Sequence, residues 1–98
     1  MTAELLLRER IAIIPERSFA ELVVWSVPMP VRESRRRLKY RLALVVDGVC
    51  VLRYDNEAGN GDHKHVDGVE IPYRFTSAEA LLADFWADVE PWRERCGP

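Results

Sequence analysis

Asp47-Gly48 stands between two apolar runs, LKYRLALVV over residues 38–46 and VCVLRY over residues 49–54. A two-residue connection between twisted strands needs positive φ at both positions, and Asp-Gly adopts it with little strain. The pair therefore predicts an antiparallel hairpin. In its first strand Leu38, Tyr40, Leu42, Leu44 and Val46 alternate onto one face. Lys39 and Arg41 fall on the other with Ala43 and Val45, so one end of that second face is expected to be polar and functional.

Two further runs upstream, ELLLRERIAII at 4–14 and FAELVVWSV at 19–27, are rich in β-branched and aromatic residues. In the second, Ala20, Leu22 and Val24 share one face, while Phe19, Val23, Trp25 and Val27 share the other with Glu21. The turn chemistry of Pro15-Glu16-Arg17-Ser18 joins the two runs as a second hairpin. Pro28-Met29-Pro30 cannot continue a central strand, because proline has no N–H for the ladder. The stretch from there to Arg37 reads as a basic loop. A fifth, less regular strand is expected from about His63 to Tyr73, and Asp67-Gly68 within it is open to reading as a tight turn between two short strands.

One helix follows. Thr76 is the candidate N-cap and Glu79, three residues on, completes a capping box. Leu81, Leu82, Phe85, Trp86, Val89 and Trp92 recur at helical spacing as an apolar stripe suited to covering a sheet. Pro91 is expected to kink or end the helix near Glu90. These elements imply an α+β fold: one domain over residues 1–98, with a small, mostly antiparallel β-sheet of about five strands packed against one C-terminal helix.

With 48% hydrophobic and 31% charged residues, the chain has the composition of a globular protein rather than a disordered one. No apolar run approaches the roughly 18 residues of a spanning helix, and the amino terminus lacks the layout of a signal peptide. Cys50, inside an apolar run, reads as a buried small hydrophobe, and with Cys96 it makes neither a disulfide framework nor a metal-ligand spacing. A cytoplasmic location without membrane contact is expected. Charge is uneven along the chain: residues 1–53 carry ten Lys/Arg against six Asp/Glu, and residues 54–98 carry four against ten. Arg35, Arg36, Arg37, Lys39 and Arg41 lie within seven positions, a cluster able to hold phosphates or to be a solvated loop with one charged strand face.

The densest chemistry lies in RYDNEAGNGDHKHVDGVEIPY, residues 53–73. His63 and His65 alternate onto one face of a strand and Lys64 onto the other. Paired imidazoles suit acid–base attack on a phosphodiester, metal binding, or no chemistry at an exposed strand. In the first case His63 and His65 move the protons. Arg53, Lys64 or Arg41 stabilises the charged phosphate, and Tyr54 serves as acid or hydrogen-bond donor. In the second, Asp62 or Asp55 joins the histidines, with the third ligand of a catalytic zinc not fixed by the spacing. No metal or other cofactor is expected. Gly59-Asn60-Gly61 reads as a flexible connection that brings Tyr54, Asp55 and Asn56 close to the histidines.

Taken together, RYDN and GDHKH at this spacing, FAELVVWSVP, KYRLALVVDG and a closing helix SAEALLADFWADVE resemble the TumE-type toxin family of bacterial type II toxin–antitoxin modules. The resemblance covers nearly the whole chain. It implies a small toxin neutralised by a helix-turn-helix antitoxin and acting as a ribonuclease on an RNA substrate. Tyr54, Asp55, Asn56, Asp62, His63 and His65 match its motif positions, and no settled catalytic assignment comes with them. The alternatives are a non-catalytic nucleic-acid or protein-binding module and a metal-dependent hydrolase. The edges of so small a sheet also make a homodimer one of the expected arrangements.

Overall fold

The computed structural model describes residues 4–27, 38–56 and 61–96. Six strands form one antiparallel meander: β1 (Glu4–Ile14), β2 (Ser18–Ser26), β3 (Leu38–Val46), β4 (Val49–Asp55), β5 (His63–Val66) and β6 (Val69–Pro72). The helix α1 (Ala78–Cys96) closes the chain. The architecture is α+β with six strands rather than five, because Asp67-Gly68 is a tight turn and divides the expected last strand in two. Asp67 and Gly68 take φ of 50° and 82°, and Asp47 and Gly48 take 48° and 82°. A Cβ added at either glycine would meet nothing within 4 Å, so backbone conformation alone selects glycine there.

The expected faces are realised. Ala20, Leu22, Val24, Tyr40, Leu42, Leu44, Leu52 and Tyr54 line the buried face, and Leu81, Phe85 and Val89 of α1 complete the core. Burying each of the three helix side chains stabilises the fold by about 1.5–3 kcal/mol. The Tyr54 ring meets Phe85 and Tyr73 edge-on, and Phe75 stacks on Tyr40 at 5.8 Å. Hydrogen bonds tie the helix to the sheet as well. Tyr54 Oη donates to Asp88 Oδ2 at 2.5 Å, Tyr73 Oη donates to Asp84 Oδ2 at 2.6 Å, and Lys64 Nζ reaches Asp88 at 3.0 Å.

Three local expectations are corrected. Ser77, not Thr76, caps the helix: its Oγ accepts from Ala80 N at 3.0 Å, so the third helical position is Ala80 and Glu79 forms no capping box. Of the two outcomes expected at Pro91, an end of the helix is excluded, because the helix runs on to Cys96. The missing donor leaves the Ala87 carbonyl without its bond, and Ala87 and Pro91 both lie on the exposed side, where water can take its place. Cys50 is exposed, because a register shift after Leu44 turns it onto the uncovered face opposite Val45.

Candidate functional site

One helix covers one face of the sheet, and strand alternation decides what lies on the other. Tyr54 pairs with Lys64 on the helix side, so Arg53 and Asp55 of β4 and His63 and His65 of β5 project from the opposite side. Two cross-strand rows result. Arg41, Asp55 and His63 stand side by side in one, and Ala43, Arg53, His65 and Glu70 in the other. Ala43 is fully buried and forms the floor between the charged groups.

Asp55 is the centre of the first row. Its Oδ1 lies 2.7 Å from His63 Nε2 and its Oδ2 lies 2.8 Å from Arg53 Nε. Asp55 and His63 are both buried. The far side of the His63 ring faces a backbone carbonyl, with Nδ1 3.0 Å from Gly61 O. His65 meets the His63 ring edge-on at 5.1 Å between centroids, and its Nε2 is 3.4 Å from Glu70 Oε1. Arg53 Nε, Asp55 Oδ1 and His65 Nε2 are buried and have no hydrogen-bond partner among the described residues. Each still lies within ion-pair distance of a complementary group, so the cluster is paired by charge while its hydrogen-bond geometry is incomplete.

The other candidate residues are placed elsewhere. Tyr54 lies under the helix, on the far side of the sheet from both histidines. Burial and the neighbouring Asp88 carboxylate hold its hydroxyl well above the usual phenol range, so it remains a neutral donor. Asn56 is fully buried and prolongs the β3–β4 ladder: its Oδ1 accepts from Tyr40 N at 3.1 Å and its Nδ2 donates to Leu38 O at 2.6 Å. Asp62 accepts from Tyr40 Oη at 2.9 Å, so it too faces the core side. Lys64 is engaged with Asp88. Lys39 is exposed on β3, opposite Trp25 of β2. Arg35, Arg36 and Arg37 lie outside the described residues.

Glu70 is the site residue that reading along the chain missed. A two-residue turn at 67–68 pairs residue 66 with 69 and residue 65 with 70, so taking Asp67-Gly68 as a turn would have set Glu70 beside His65.

Fold and site together define a small α+β domain that carries an imidazole, carboxylate and guanidinium cluster on the sheet face its single helix leaves open. The chain belongs to the TumE toxin family, whose family model, described as Toxin TumE, matches residues 2–93. No curated protein and no solved structure matches the chain. Among the described residues, no helix is long and apolar enough to cross a membrane.

Proposed function

We propose that this toxin is a cytoplasmic, metal-independent ribonuclease of a bacterial toxin–antitoxin module, with its reaction centre on the open face of β4 and β5. The observation that carries the reading is the contact of two imidazoles, 5.1 Å between centroids, beside Asp55 and Arg53. His65, the more exposed of the two rings, takes the proton of the ribose 2′-hydroxyl as its oxygen bonds to phosphorus. The bond from phosphorus to the 5′-oxygen breaks, and that oxygen receives a proton from His63, whose ring Asp55 orients. The products are a 2′,3′-cyclic phosphate and a free 5′-hydroxyl. Arg53, with Arg41 one strand away, stabilises the charge on the pentavalent phosphate. Arg35, Arg36, Arg37 and Lys39 hold the flanking backbone by charge. Tyr54, Asn56 and Lys64 support the sheet in this reading and do not reach the RNA.

The partner is a helix-turn-helix antitoxin. Support for a protein partner lies in the two sheet edges, where Leu5, Leu6, Val69 and Ile71 are exposed on β1 and β6. Unpaired edges of this kind accept a strand from another chain, whether an antitoxin or a second copy.

The burial of His63 favours one competing reading, in which the histidines are structural and the basic surface only binds nucleic acid. Incubating purified protein with RNA beside His63→Ala and His65→Ala decides between them. Cleavage lost in either variant, with salt-sensitive binding retained, supports the ribonuclease. Parental cleavage rates in both variants remove the acid–base assignment, and binding without cleavage in the parent favours the binding module.

A further inference from the structure

The β5–β6 hairpin holds three ligand-type side chains whose donor atoms converge. His63 and His65 alternate onto one face, and the Asp67-Gly68 turn sets Glu70 directly across from His65. Glu70 Oε1 is 3.4 Å from His65 Nε2 and 3.9 Å from His63 Nε2, and one donor atom from each of the three lies within 4.8 Å of the others. A zinc ion with ligands at about 2.1 Å holds them about 3.4 Å apart in a tetrahedron. The hairpin thus comes within a side-chain adjustment of that spacing.

The surroundings of His63 supply a second observation. Gly61 O can only accept, so its 3.0 Å contact with His63 places a hydrogen on Nδ1. With that nitrogen engaged, Nε2 is the atom His63 can offer to a metal. A backbone carbonyl on one ring nitrogen is the arrangement that orients metal-ligating histidines through the other. Nε2 lies 2.7 Å from Asp55 Oδ1 and 3.9 Å from Glu70 Oε1, with a carboxylate on each side. Asp55 Oδ1 and His65 Nε2 are both buried without a hydrogen-bond partner among the described residues. A proton on His63 would satisfy Asp55 and still leave His65 Nε2 unsatisfied. A divalent cation held by the hairpin takes up His65 Nε2 together with His63 and Glu70.

We infer that His63, His65 and Glu70 form a site for a borderline transition-metal ion such as zinc, and that its occupation turns the toxin off. Two imidazoles and one carboxylate suit zinc, nickel or cobalt and not magnesium, which prefers all-oxygen shells. Asp55 stays outside the three, engaged with Arg53 at 2.8 Å. The off-switch rests on the ribonuclease reading above. A metal on both imidazoles occupies the lone pairs that accept and deliver protons, so cleavage stops while the fold remains.

Zinc chloride titrated calorimetrically into chelator-stripped protein tests the site without RNA. The expected result is one ion per chain at micromolar affinity or tighter, about 100-fold weaker for His65→Ala and at least about tenfold weaker for Glu70→Gln. Magnesium chloride should give no binding heat. His65 and Glu70 lie toward an exposed edge, and circular dichroism checks that both variants are folded. Parental zinc affinity in both variants, or no stoichiometric binding to the parent, overturns the site. In RNA cleavage, zinc should suppress the parent and a chelator restore it. Cleavage that instead requires zinc overturns both the switch and the metal-independent mechanism. Absence of cleavage under every condition overturns the ribonuclease reading, while the titration still decides the site.

Discussion

The Asp55 carboxylate lies 2.7 Å from His63 Nε2, on the strand next to its own, with both side chains buried under 10% exposure. The pairing follows from the β4–β5 register, in which the two residues are directly opposed. Arg53 approaches the other oxygen, so one carboxylate holds both an imidazole and a guanidinium. Asp55→Asn keeps the shape and removes the charge. It should cost about 1–3 kcal/mol of stability, read from the urea midpoint at unchanged slope. RNA cleavage should fall at least about tenfold as His63 loses its orientation. An unchanged midpoint would mean that the buried carboxylate contributes nothing to the fold.

Tyr54→Phe separates the two faces of the sheet. The hydroxyl donates to Asp88, and its loss leaves a partly buried carboxylate with Lys64 alone. A loss of about 1–2 kcal/mol is expected in thermal or urea unfolding. Cleavage per folded molecule should match the parent, because the phenol is on the helix side. A fall of about 100-fold with the fold intact would return Tyr54 to the chemistry.

Capping makes a local prediction. Ser77→Ala removes the acceptor for Ala80 N and should cost about 1 kcal/mol, whereas Thr76→Ala, one residue earlier, should change stability by less than about 0.5 kcal/mol. The reverse order in denaturation would place the helix start at Thr76 after all.

High pH tests the tyrosines. All three, Tyr40, Tyr54 and Tyr73, have hydroxyls raised well above the ordinary phenol range, first by burial and then by the carboxylates Asp62, Asp88 and Asp84. The unfolded chain releases those protons near pH 10, at about the ordinary phenol value, while the folded chain keeps them. Above that pH the unfolded state binds fewer protons, so stability is full below about pH 10 and declines as pH rises further. Phenolate absorbance should therefore appear together with loss of helical circular dichroism. Three phenols titrating near pH 10 in protein that keeps its circular dichroism would contradict these contacts.

Much of this molecule was legible along the chain, and the reason is local. Alternation of apolar residues separated the two faces of β2 and of β3, Asp47-Gly48 marked its hairpin, and the stripe from Leu81 to Val89 marked the helix and its covered side. Backbone conformation and side-chain period act within a few residues, so residue order alone carries them. The likeness of RYDN and GDHKH to the TumE toxins pointed to the family in the same way.

Pairing between distant strands decided the rest. Asp55, Arg53, His63, His65 and Glu70 share one face only because β4, β5 and β6 align in a particular register. That register also sends Tyr54, Asn56 and Lys64 to other tasks, although in sequence they sit among the same residues. The side on which one helix docks chose which face stays open, and the bulge after Leu44 brought Cys50 to the surface. Chain order determined which side chains the toxin has to work with. The tertiary structure decided which of them meet, because a shift of one residue in strand pairing moves a side chain through the sheet.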